Sequence, residues 1–252
     1  MNFLCPFHND KNASFSLKEK KFICYGCNLY GYTKKKFKIK KFELFFDKNI
    51  MNLAKKNLYI KKNFWLNYLI YRNINMITSI KFNLGYLDYS FNKSINKILI
   101  NRLLFPILNE KNILESVGVR TTSLKNKYLI FSKSNNNLNL YGIEQIKNFN
   151  FVVIVEGYFD LLTLKKNFFN NTISILGSDI NQYKIIYLLK KFKKIYFCFD
   201  GDYAGYKANE KVKKIFEKFK KRIFSKTLPY NYDPDNYINK FGIKSFLNYL
   251  KL

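Results

Sequence analysis

Phe151-Val152-Val153-Ile154-Val155-Glu156-Gly157-Tyr158-Phe159-Asp160 is a short apolar run that ends in a carboxylate, a glycine and a second carboxylate. The arrangement returns at Lys194-Ile195-Tyr196-Phe197-Cys198-Phe199-Asp200-Gly201-Asp202. Brief β-branched and aromatic runs bounded by Gly and Asp read as buried strands. Strand 151–155 precedes helical spacing over 159–168, strand 172–176 precedes 180–192, strand 195–199 precedes 204–221, and 222–228 forms a fourth strand. This alternation predicts a right-handed parallel α/β sheet. Glu156 and Asp200 then fall at the carboxyl ends of strands, where open sheets form their binding crevice. A third acidic pair follows at Asp233-Pro234-Asp235. Carboxylates gathered in one place repel each other unless a hard cation lies among them, and Mg²⁺ takes oxygen ligands while keeping waters for phosphate substrates. The pattern points to metal-dependent chemistry on phosphates.

The rest of the chain is strongly basic, with a net charge of +28 over 252 residues. Such a charge calls for a polyanionic partner, nucleic acid first. Only Arg72, Arg102, Arg120 and Arg222 among the 45 basic residues are arginines. Lys, Asn, Ile, Phe and Tyr all have AT-rich codons, so genome composition accounts for part of the charge and for many of the aromatics. An apolar content of 48% excludes a wholly disordered chain. No stretch approaches the roughly eighteen uncharged apolar residues of a membrane span, and Met1–Pro6 lacks the features of a signal peptide. The expectation is a cytoplasmic or organelle-interior protein without a membrane partner.

Cys5-Pro6-Phe7-His8 and Cys24-Tyr25-Gly26-Cys27 form two chelating pairs separated by chain enough for a β-hairpin. Cys5, His8, Cys24 and Cys27 suit one tetrahedral, structural Zn²⁺ with no open position. Cys198 lies within an apolar strand and reads as a buried small hydrophobe. Residues 1–32 form this zinc module, with hairpin strands at Ser14–Leu17 and Lys21–Ile23. Residues 33–62 form a basic linker containing the run Lys34–Lys41, although 42–56 carries helical spacing, as does 63–72. Residues 98–146 hold short β-like runs at Leu103–Leu108, Leu114–Arg120 and Tyr128–Ser132, for which the sequence dictates no topology.

Together these stretches resemble the bacterial-type DNA primase family. The zinc pattern with Ser14-Phe15 is similar to that family's zinc-binding module. Leu69-Ile70-Tyr71-Arg72-Asn73-Ile74, Phe82–Tyr86, Asn101–Ile107, Gly118-Val119-Arg120, Lys127-Tyr128-Leu129 and Leu140-Tyr141-Gly142 follow its polymerase domain in order. The three acidic clusters resemble its Toprim signatures, with Leu176-Gly177 between the first two. Asn73 replaces a usual Gly, and Asp179 replaces a usual small or apolar residue. The chain also ends soon after Asp235, which implies a trimmed form without the family's C-terminal helicase-binding domain.

The resemblance implies an α/β fold (α+β in overall class): a small zinc-ribbon module, a mixed α/β basic subdomain over 63–150 opening the RNA polymerase core, and a Toprim parallel-sheet α/β subdomain over 151–252. It implies a DNA primase, synthesising short RNA primers on single-stranded DNA by nucleotidyl transfer. Glu156, Asp200 and Asp202 would be catalytic. The same three, with Asp160, Asp233 and Asp235, would hold Mg²⁺ or Mn²⁺, two ions or more, alongside the single zinc. Arg102, Arg120 and Lys127 would contact ribonucleoside triphosphates or template. A replicative helicase and single-strand-binding protein are the implied protein partners, at the nucleoid. Phe22 and Tyr25 of the zinc module are candidates for stacking on the template. Two other readings compete: a non-catalytic zinc/Toprim binder of single strands, and another Toprim enzyme acting as a nuclease or topoisomerase.

Overall fold

The computed structural model describes residues 2–3, 15–18, 21–24, 30–32, 48–60, 63–88, 99–121, 127–132, 138–177, 182–215 and 222–252. Four short strands come first: β1 (Asn2–Phe3), β2 (Phe15–Lys18), β3 (Lys21–Cys24) and β4 (Tyr30–Tyr32), an antiparallel sheet in that order. The hairpin expected in the zinc module is β2–β3, and buried Cys24 lies opposite buried Phe15. Cys5, His8, Cys27, Tyr25, the run Lys34–Lys41 and Asp179 lie outside the described residues, as does the side chain of Phe22.

Helices α1 (Lys48–Ile60), α2 (Phe64–Tyr71) and α3 (Met76–Lys81) follow. Asparagine caps start the last two: Asn63 accepts from the Leu66 N–H at 2.9 Å and Asn75 from the Thr78 N–H at 2.8 Å, each satisfying an otherwise orphaned donor. Asn73, in the turn between them, has φ 54°. That left-handed conformation suits Gly or Asn and few other residues, which explains how Asn stands at a usual glycine. Strands β5 (Gly85–Leu87), β6 (Arg102–Leu108), β7 (Leu114–Arg120) and β8 (Tyr128–Ser132) then form an antiparallel meander.

The last part alternates as the sequence predicts: β9 (Phe151–Val155), α4 (Tyr158–Lys166), β10 (Thr172–Ser174), α5 (Gln182–Lys191), β11 (Lys194–Phe199), α6 (Tyr203–Ile215) and β12 (Ile223–Thr227), closed by α7 (Pro234–Leu250). The sheet is wholly parallel, in the order β10-β9-β11-β12. β9 and β11 are adjacent at its centre, so the loops holding Glu156 and Asp200 emerge side by side.

One apolar core runs across residue 150: Trp65, Phe82 and Phe105 cluster with Tyr158, Phe159 and Phe246. Tyr158 stacks on Phe105 at 4.3 Å between centroids. A Cβ at residue 118 would come within 1.9 Å of the Tyr158 hydroxyl, so only glycine lets the start of α4 approach β7 this closely. A second core lines the other face of the parallel sheet with Ile154, Ile173, Leu188, Phe197 and Val212. Cys198 is fully buried, and burial pushes its thiol well up from the ordinary range. Among the described residues no helix is long and apolar enough to cross a membrane.

Candidate active site

Three turns at the carboxyl end of the parallel sheet bring the acidic clusters together. Glu156 follows β9, and its Oε1 accepts from the Asp200 N–H at 3.1 Å, which ties the two central strand ends. Asp160, in the first turn of α4, accepts from the Gly157 N–H at 2.8 Å through Oδ2 and from the Asp235 N–H at 3.3 Å through Oδ1. Gly201 donates to the Tyr232 carbonyl at 2.7 Å, and a Cβ there would meet the Pro229 carbonyl at 1.9 Å. Only glycine allows this contact, and it holds the Asp200 loop against the loop that carries Asp233.

The carboxylates divide by what they bind. Asp202 accepts from the Gly205 N–H at 2.8 Å and caps α6, and its side chain is exposed. Asp233 caps α7, accepting from the Asn236 N–H at 2.7 Å. Asp200 has no such role: its Oδ1 is buried with no hydrogen-bond partner. Burial first, then the charges of Asp160, Glu156, Asp233 and Asp202, push its pKa up to about 9. Burial likewise raises Asp160, together with Asp233 and Asp235, to about 7. Glu156 is raised by burial and by Asp202, against the bond from Asp200, and Asp233 by burial and by Asp235, against its Asn236 bond and Arg72.

A buried acceptor without a donor, among carboxylates that disfavour each other's ionisation, fits a hard cation. Among the described residues no group of three or more His, Cys, Asp or Glu side chains is arranged to hold a metal ion.

Asp235 is engaged differently. It is 1% exposed, bonded to Arg72 through Oδ2, and accepts through Oδ1 from Thr163 Oγ1 at 2.5 Å and Asn239 Nδ2 at 2.8 Å. Arg72 comes from α2's C-cap and lies 4.3 Å from the centroid of Phe159, whose ring also faces Arg120 at 5.6 Å. Burial works against the Arg72 charge, but its bond to and attraction by Asp235, with help from Tyr68, outweigh burial and raise its pKa. Neighbouring Asn73 is held as well: its Nδ2 donates to Asn239 at 3.2 Å and its carbonyl accepts from Lys166 at 2.8 Å.

Of the expected basic contacts, Arg120 ends β7 over Tyr68 and Tyr128, 4.9 Å from each centroid, and donates to the Tyr128 hydroxyl. Lys127 is exposed just before β8, and Arg102 begins β6 opposite Leu87. Sequence reasoning did not single out Arg72, Thr163 or Asn239. The scarcity of arginine, the signal that marks Arg102 and Arg120, marks Arg72 equally.

A zinc-finger segment followed by a parallel sheet with carboxylates at its strand ends defines a class. Residues 1–64 match the CHC2 zinc finger family, which supports zinc binding, and 153–238 match the Toprim-like family, which suggests use of divalent metal. Within that class the chain is similar to bacterial-type DNA primases. It is 30% identical to the DNA primase of Buchnera aphidicola subsp. Baizongia pistaciae, over 97% of this chain and 55% of that protein. The chain thus spans about half the length of the curated relatives it matches. Its fold is that of the Aquifex aeolicus primase zinc-binding and RNA polymerase domains (TM-score 0.68, 24% identity, covering 99% of this chain and 78% of that one). The DnaG primase catalytic domain bound to single-stranded DNA has the same fold (TM-score 0.69, 21% identity, covering 81% and 78%).

Proposed function

We propose that this chain is a DNA primase core that makes short RNA primers on single-stranded DNA by metal-dependent nucleotidyl transfer. The observation that carries the reading is the buried, unpartnered carboxylate oxygen of Asp200 amid Glu156, Asp160, Asp202 and Asp233. A pure phosphate binder gains nothing from such a cluster, because its field repels the ligand. Divalent ions, Mg²⁺ or Mn²⁺ and two or more of them, would supply charge for the α-phosphate and the leaving pyrophosphate and lower the pKa of the attacking 3′-hydroxyl.

In this reading Glu156, Asp200 and Asp202 hold the ions, with Asp160 and Asp233 completing the cluster. The Gly157 and Gly201 turns keep those carboxylates at adjacent strand ends, so the site is assembled before substrate arrives. Arg120, spread over aromatic rings, presents a guanidinium fork suited to triphosphate or template oxygens. Arg102 and exposed Lys127 extend the basic surface towards template. Cys5, His8, Cys24 and Cys27 bind one structural zinc, and the zinc module holds the single strand. A replicative helicase and single-strand-binding protein are its partners at the nucleoid, in the cytoplasm.

The test incubates the purified chain with single-stranded DNA, ribonucleotides and Mg²⁺ or Mn²⁺, beside an Asp200→Asn/Asp202→Asn control. Template-dependent short RNA that vanishes in the control supports the reading. Equal DNA binding by both proteins with no product from either would sink it.

A further inference from the structure

The Arg72–Asp235 pair joins side chains 163 residues apart. Asp235 lends its N–H to Asp160, and Arg72 acts electrostatically on Asp233. Asp235 has no oxygen left over, with Arg72 on one and Thr163 and Asn239 on the other. Arg72 is fixed in turn by the Phe159 ring and the Tyr68 hydroxyl, the latter at 3.1 Å. Protein donors thus take three of the roughly four acceptor sites of this carboxylate.

We propose that Arg72 and Asp235 are positioning residues that act as a counter-charge pair, setting the net charge felt at the cation site without touching the cation. The proposal rests on the cation-site reading given above. Its logic is that of two opposite charges next to a third site. Paired, they nearly cancel at the carboxylates. Removing one exposes the other, and a charge a few ångströms away in a partly desolvated setting changes cation affinity severalfold. Arg72→Gln leaves a negative Asp235 beside Asp160 and tightens cation binding. Asp235→Asn leaves a positive Arg72 beside Asp233 and loosens it. A pair that merely fastened α2 to α7 would produce the same sign for both, since both break one link.

The experiment is calorimetric titration of the full chain with Mn²⁺ alone, in wild type, Asp200→Asn/Asp202→Asn, Arg72→Gln, Asp235→Asn, the Arg72→Gln/Asp235→Asn double variant and Arg72→Lys. Melting curves identify the variants that fold. Expected are about three- to tenfold tighter binding for Arg72→Gln and a similar loosening for Asp235→Asn. The double variant and Arg72→Lys, which cancel or keep the charge, should bind within about twofold of wild type. Shifts of the same sign in both single variants, or no shift in either, overturn the proposal. Should the single variants not fold, Arg72→Lys and the double variant still decide it, because a large change in either is incompatible with counter-charge. If Asp200→Asn/Asp202→Asn binds Mn²⁺ as wild type does, it is the cation-site reading that fails, independently of the pair.

Discussion

Asp200-Gly201-Asp202 and Asp233-Pro234-Asp235 have the same carboxylate spacing, each precedes a helix, and their loops touch through Gly201. Their inner geometry is reversed. In the loop after β11 the first carboxylate is half-buried with one oxygen, Oδ1, buried and unsatisfied, while the second caps the helix. In the loop before α7 the first carboxylate is the cap and the second is buried and bonded to Arg72, Thr163 and Asn239. A carboxylate's role therefore follows from what packs against it. Behind Asp200 stand other carboxylates; behind Asp235 stands an arginine.

Identical changes in the two loops should therefore have different consequences. The largest is on activity: Asp200→Asn should lower template-dependent RNA synthesis by about three orders of magnitude, with single-strand binding by fluorescence anisotropy unchanged or stronger. Next is stability. Asp235→Asn leaves the half-buried Arg72 without its carboxylate and should cost about 2 kcal/mol in urea denaturation. Equal stability to wild type would erase the contrast between the loops.

Asp200→Asn should do the reverse and stabilise the metal-free protein at pH 8. The Asp200 pKa is raised in the folded state from an ordinary 3.8 to about 9, so the native state holds a proton that the unfolded chain releases. Stability from this group is thus present at low pH and lost as pH rises between about 4 and 9. The neutral amide removes that loss, by on the order of 2 kcal/mol given that the neighbouring carboxylates share the protonation. Saturating Mg²⁺ should flatten the pH dependence in wild type and leave the variant unaffected. The smallest effect tests the turn that presents Arg72. Asn73→Gly should stay within about 1 kcal/mol of wild type and Asn73→Ala should cost about 1–2 kcal/mol, measured by thermal melting.

The parallel sheet was legible because buried strands and amphipathic helices alternate there with little interruption, and acidic residues punctuate the strand ends. β7, β8 and β9 begin and end where their apolar runs do. Helix α7 was not legible. It starts in a turn signal, Asp233-Pro234, and is kinked at Gly242, where φ is 82°, so no single apolar stripe runs through it. Helix α3 is too short for its period to register. At the site, spacing placed the acidic residues near one another yet could not divide their labour, because Asp200 and Asp235 differ only through residues distant in sequence. Of the zinc ligand set, only Cys24 falls among the described residues, buried at the end of β3.

The long separation in the Arg72–Asp235 pair also has a meaning in time. At a ribosomal pace of about 5–20 residues per second, the 163 residues that separate them take roughly 8–33 seconds to make. Within that interval the meander and then α4 are made, while Phe246, which completes their core, is still missing. The nascent first half must keep its unpaired apolar face and an unmatched arginine until α7 emerges. Its abundant lysines then help to keep neighbouring nascent chains apart through like-charge repulsion.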